Sequence, residues 1–235
     1  MQTTIMRDSI VGDAWIQAVY AANPPHIMED GNVFTGPVRL AFTDGIFKMV
    51  KKMKSDVNSK EAYMCNLLFP PMADMAPLWT KYCEIAQKEF PDNPYVQSRN
   101  QFVGLVEPWR DGAEKPAYSG FTPGCNFIIP KSGYKPAVVD MAMNPIVNED
   151  AIYAGVWAYC VIQPYAGGKG KPKKGPMWGL LSIMKIGDDQ PLASASPDAA
   201  VLYKGVKAIT PPAGGAAAAF AAKAPPPGGP PAMPG

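Results

Sequence analysis

The 235-residue chain is poor in cysteine, has a single histidine and carries almost no excess charge. Cys65, Cys83, Cys125 and Cys160 lie far apart with no CxxC pair, and together with His26 they give no zinc-ligand spacing. Three of them (Cys65, Cys83 and Cys160) sit within apolar patterns and read as small buried hydrophobes, which suits a reducing, intracellular setting. No apolar run approaches the length of a membrane span. Arg7, Asp8 and Asp13 interrupt the apolar residues near the start, so neither a signal peptide nor a membrane partner is expected. Also missing is the regular strand–helix alternation of a parallel sheet.

Catalytic constellations are equally scarce. His26 lies in a proline-rich stretch with no evident partner for nucleophilic chemistry. Glu149–Asp150 and Asp188–Asp189 are paired carboxylates of the kind a metal-dependent nuclease requires, but both occur in turn contexts, where acids are expected anyway. GGKGKPKKG (Gly167 to Gly175) invites comparison with a phosphate-binding loop. It lacks the GxxxxGK[ST] pattern, and Pro172 and Pro176 stand where a helix would have to begin. The expectation is a non-enzyme with no catalytic residue, cofactor or metal.

What the chain does have is local concentration of charge. The net charge is only +2, and Lys223 supplies one unit of it. Lys48, Lys51, Lys52, Lys54 and Lys60 cluster against Asp56 alone, and Lys169, Lys171, Lys173 and Lys174 cluster against no acid. A polyanion would release counterions from such clusters with strong salt dependence and little sequence preference.

Composition and pattern divide the chain into an N-terminal arm (1–32), a single body (33–209) and an Ala/Pro/Gly-rich tail (210–235) that cannot repay the entropy of folding. Within the arm, Ile10 to Ala22 reads as a short helix ended by Asn23-Pro24-Pro25, or as an arm packing on a neighbouring subunit. Val33 to Phe42 alternates as a strand, and Glu61 to Phe69 reads as a buried one. Ile46 to Lys60 between them is either an amphipathic helix or a loop. Asp74 to Phe90 is the clearest helix, with Leu78, Tyr82, Ile85, Ala86 and Phe90 on one face. Short strands follow at Cys125 to Ile129 and Ala137 to Met143, and Ala199 to Ile209 forms a last strand or short helix. The fold class expected is mainly β, an elaborated barrel with one principal inserted helix.

The organising stretch is Ala151 to Ile186, a hairpin whose arms flank the second lysine cluster. In the first arm Ala158, Cys160 and Ile162 point one way, while Tyr153, Trp157, Tyr159 and Tyr165 point the other. Rings beside a flexible cationic loop suit a single nucleic-acid strand, whose bases stack while its phosphates meet lysines. An ordinary hairpin with a thick apolar layer would show the same alternation, which does not say which face is inside.

The order of short motifs resembles a phage single-stranded-DNA-binding family with an elaborated OB-fold. The similarity runs through GPVRLAF (Gly36 to Phe42), AYMCNLLFP (Ala62 to Pro70), WRDGAEKPAYSGF (Trp109 to Phe121), PIVNEDAIYAGVWAYCVIQPYA (Pro145 to Ala166) and GPMWGLLSIMKIGDDQPL (Gly175 to Leu192). The resemblance implies a barrel groove that holds the strand, with Arg39, Arg110, Tyr153, Trp157, Tyr159 and the lysines after Tyr165 as contacts. Lys51, Lys52 and Lys54 would supplement the groove, and Trp178 would add a stacking ring. One departure is plain: no acid follows Asp198, whereas proteins of this type often end in an acidic tail that recruits replication proteins.

The function expected is sequence-tolerant binding and protection of single-stranded DNA during phage replication and recombination, in the host cytoplasm. Partners would be the DNA, phage or host replication proteins, and a second copy in a homodimer. The alternatives are a virion structural or assembly protein and a single-stranded RNA binder.

Overall fold

The computed structural model describes residues 14–51 and 60–192. Its elements are α1 (Ala14–Ala22), β1 (His26–Ile27), β2 (Val33–Lys51), β3 (Glu61–Phe69), α2 (Ala76–Glu89), β4 (Tyr95–Val96), β5 (Gln101–Phe102), β6 (Arg110–Asp111), β7 (Asn126–Ile128), β8 (Lys131–Ser132), β9 (Ala137–Val139), β10 (Trp157–Gly167) and β11 (Gly175–Gly187).

β2 is the axis of the main sheet. Arg39 pairs with Trp157 of β10 on one side and with Leu68 of β3 on the other, both antiparallel. β10 and β11 form the expected hairpin, and β9 runs parallel to β11 at one end. The hydrogen-bonded order is β6-β7-β3-β2-β10-β11-β9, with β1 added to β2 and β8 added to β3. This order has two distinct ends, so among the described residues the sheet is open. The expected barrel is therefore corrected to a strongly bulged open sheet. Alternation fixes which residues share a face, but closure depends on whether the end strands meet in register, and here they do not.

The core lies between this sheet and α2. Val33, Val38, Leu40, Leu67 and Phe69 meet Ala158, Cys160, Ile162, Leu180 and Ile183, and α2 contributes Leu78, Tyr82 and Ala86. Each fully buried large aliphatic side chain contributes roughly 1.5–3 kcal/mol. α2 begins where Asp74 Oδ1 accepts the Ala76 N–H at 2.9 Å, with proline tolerated in the first turn, and it stops before Pro91.

Two expectations about the flanks change. The stretch from Ile46 is no helix up to Lys51; it continues β2, with Val50 opposite Ala62 and Lys51 opposite Glu61. Lys52 and Lys54 lie outside the described residues, as do the 210–235 tail and the Ala199 to Ile209 element. The helical part of the arm packs on its own sheet. Ile16 and Tyr20 of α1 bury against Trp157, and Tyr20 Oη donates to Pro37 O at 2.5 Å. Burial pushes the Tyr20 phenol well above its ordinary range.

Candidate nucleic-acid interface

A candidate site lies where β8 approaches β11. β8 pairs with β3 yet also lies beside β11: a Cβ added at Gly179 would sit 3.8 Å from Lys131 O. Along this seam run two adjoining clefts that share Lys131 and Tyr165. The first, of about 360 Å³, is lined by Lys131 to Lys135 from one side and by Gln163, Tyr165 and Leu181 from the other. The second, of about 270 Å³, is lined by Trp109, Arg110, Phe127, Lys173, Met177 and Trp178 among others. Together they form a trough with rings on its walls and cations along its rim.

Local geometry holds the walls in place. Trp178 is buried, and its Nε1 donates to Pro108 O at 2.9 Å, which pins the strand of chain before Arg110. Val106 N donates to Lys174 O at 2.9 Å and ties the same stretch to the lysine loop. Gly175 makes this junction possible. Its φ is +145°, and a Cβ there would stand 3.0 Å from Val106 Cγ2 and 3.1 Å from Val106 N.

The expected contact residues separate into three groups. Tyr165 (38% exposed), Arg110 and Lys173 are brought together on the trough. Arg110 sits over the Phe127 ring, 5.1 Å from its centroid, and pairs with Glu114 through Nε at 2.8 Å. Lys169, Lys171 and Lys174 belong to the adjoining loop, with Lys169 Nζ paired to Glu89 of α2 at 2.5 Å. That hydrogen bond and charge hold the Glu89 carboxyl below its ordinary range. Lys51 is exposed at the end of β2.

The third group is engaged in contacts within the fold. Trp157 is 1% exposed, covered by α1, with Trp15 edge-on at 6.3 Å. Arg39 is buried beside Asp189. The Tyr153 hydroxyl donates to Asp189 O at 2.8 Å and lies 3.1 Å from Asp188 Oδ1; burial and then Asp188 push its pKa up. Tyr159 is nearly buried against Phe34, and its hydroxyl accepts from Asn23 Nδ2 at 2.9 Å. Trp178 lines the second cleft but is only 6% exposed. The aromatic face of β10 thus starts sealed at Trp157 and reaches solvent only at Gln163 and Tyr165, because α1 and Phe34 lid its first half.

Sequence reasoning did not single out Tyr134, which is 86% exposed, or Lys131 as contacts. KSGYK (Lys131 to Lys135) carried a signal, a ring between lysines in a turn. Lys135 Nζ lies over the Phe47 ring, 5.6 Å from its centroid. Trp109, half-buried against Trp79, lines the second cleft.

The described residues thus combine an open, bulged sheet with a cleft lined by rings and cations. Residues 31–207 match the family described as Enterobacter phage Enc34, ssDNA-binding protein. That span is well over half of the chain, which therefore belongs to this family. Among solved structures, the single-stranded DNA-binding protein of bacteriophage Enc34 in complex with ssDNA is similar at 19% identity, covering 81% of this chain and 99% of that one, with a TM-score of 0.55. A C-terminal truncation of the same phage protein is similar at 17% identity, covering 80% and 98%, with a TM-score of 0.51. At these identities the likeness concerns the fold. No curated protein sequence matches the chain. Among the described residues no helix is long and apolar enough to cross a membrane.

Proposed function

We propose that this chain binds single-stranded DNA along the seam between the β7–β8 segment and β11, and so protects it during phage replication and recombination. The observation that carries the reading is the continuity of the two clefts through Tyr165 and Lys131. Bases would stack on Tyr165, Tyr134 and the open edge of Trp109, a mode that tolerates any sequence. Phosphates would meet Arg110, Lys131, Lys135 and Lys173, with Arg110 exchanging Glu114 for phosphate at low energetic cost, since the pair is exposed. Lys169, Lys171 and Lys174 stand close enough on the loop to extend the cationic rim. Membership in the family described above supports the same ligand. The chemistry asked of these side chains is contact and charge neutralisation, with no bond made or broken.

On this reading the protein acts in the host cytoplasm, where phage DNA is copied, alongside phage or host replication proteins and with a second copy of itself. The test is a binding titration with labelled oligo-dT, the matched oligo-U and a duplex of equal length, each at two salt concentrations. Oligo-dT should bind most tightly and weaken steeply with salt, by about 0.7 in log–log slope for each phosphate neutralised. Equal affinity for single strand and duplex, or indifference to salt, would refute the proposal. A preference for oligo-U would reassign the ligand to RNA.

A further inference from the structure

Beside the seam, with Ile129 as a shared lining residue, lies another cleft of about 240 Å³ whose features the strand-binding trough does not use. It forms where β2 and β3 lose register. Ala41 faces Asn66 and Gly45 faces Met64, so Phe42, Thr43 and Asp44 stand against Cys65 alone. Bulges of this kind re-aim a side chain at the edge of a site. Phe42 is the side chain re-aimed: its φ is +53°, a left-handed backbone that a bulky residue adopts only where its surroundings enforce it, and its ring is 42% exposed.

Two polar groups line the same cleft. Asn66 is 3% exposed, and its Nδ2 is buried without a hydrogen-bond partner. A buried donor left unpaired is destabilising, so its presence points to an acceptor that arrives from outside. Lys115 Nζ lies over the rings of Phe42, Phe121 and Phe127, at 4.6, 4.9 and 5.0 Å from their centroids. Burial, and then the nearby Arg110, pull the Lys115 pKa down, as expected of an ammonium held among rings with a cation beside it.

We propose that this cleft takes one base of the bound strand, with the base stacked on Phe42 and its keto oxygen accepting from Asn66 Nδ2. The inference rests on the strand-binding reading of the seam and adds base discrimination to it. With Nδ2 the amide atom left without a partner, the side chain suits the O4 of thymine or the O6 of guanine, and it opposes the exocyclic amino group that cytosine and adenine present at the equivalent position. Lys115 is placed to meet the phosphate of the same nucleotide. Binding that is otherwise sequence-tolerant therefore carries a keto preference at one position.

The test is an anisotropy competition between oligo-dT and oligo-dC of equal length, which matches ring size and stacking, on the full chain and on Asn66→Ala. The wild-type protein should favour oligo-dT by about three- to tenfold, the range of one net hydrogen bond. Asn66→Ala should bring the ratio to about one by losing affinity for oligo-dT alone, and Phe42→Leu should weaken both. Asn66→Ser serves as a second variant if the alanine protein does not fold. An equal ratio in wild type and Asn66→Ala, or no wild-type preference, overturns the base-reading proposal while leaving the seam intact. Failure of the wild-type protein to bind either oligomer removes both readings.

Discussion

Arg39 Nη2 stands 3.5 Å from Asp189 Oδ2, and both side chains are withdrawn from solvent. The same carboxylate accepts Trp157 Nε1 at 2.8 Å and Gln190 N at 2.7 Å. Arg39 Nε donates to Gly155 O at 2.9 Å and Nη2 to Gln190 O at 2.6 Å. Burial pulls the arginine pKa down and Asp189 works against that shift. This cluster ties β2, the start of β10 and the chain leaving β11 into one unit. Its arginine is a structural cation, already supplied with partners.

Removing one member of such a pair leaves a buried charge without its counterpart. Arg39→Met should destabilise the fold by about 3–5 kcal/mol, read as a lower midpoint in denaturant or heat. A midpoint within error of wild type would show that the pair contributes little.

Trp157 should behave as a core residue with a polar handle. Trp157→Phe keeps most of the apolar volume but loses the hydrogen bond to Asp189, at a cost of about 1.5–3 kcal/mol for a bond to a charged acceptor. Affinity of the folded variant for oligo-dT should stay within twofold of wild type (roughly 0.4 kcal/mol or less, below a single stacked base). A large loss of affinity with unchanged stability would return this ring to the binding surface.

Tyr165 should show the opposite pattern. Tyr165→Ala should cost less stability than truncation of a core ring such as Trp157, because Tyr165 is 38% exposed and Trp157 is 1% exposed. It should weaken oligo-dT binding by about 1–3 kcal/mol, the range for one stacked base. Unaltered affinity would take Tyr165 out of the site.

The difference between these two rings marks where sequence reading reached its limit. Strand limits at Glu61–Phe69 and the hairpin of β10 with β11 were legible, because alternation and turn residues are local signals. The buried stripe of Leu78, Tyr82 and Ala86 was legible for the same reason at helical spacing. Alternation put Trp157, Tyr159 and Tyr165 on one face correctly. It could not reveal that Ile16 and Tyr20 of α1 cover the Trp157 end and leave the Tyr165 end open. Lid and sheet are separated by more than a hundred residues, so no local pattern records their contact. The open sheet and the bulge at Phe42 escaped notice likewise, since both depend on inter-strand register.

Alkaline pH should expose the cost of ionising buried thiols. Burial pushes Cys65 from 9.0 up to about 12. A folded-state pKa above the unfolded value means that the folded form retains its proton longer. The associated stability is full below about pH 9 and is lost as pH climbs toward about 12. Thermal midpoints should therefore fall across that window, and Cys65→Ala should fall less steeply relative to its own value at neutral pH. A parallel decline in both proteins would assign the loss to other groups.

The location of the strand is tested most directly by cross-linking. An oligomer carrying 5-bromodeoxyuridine would be bound to the full chain, irradiated and mapped by mass spectrometry of the digested protein. The seam assignment predicts adducts on peptides containing Tyr165, Tyr134 or Trp109. Adducts confined to peptides outside the seam, such as those of α1 or β9, would contradict it.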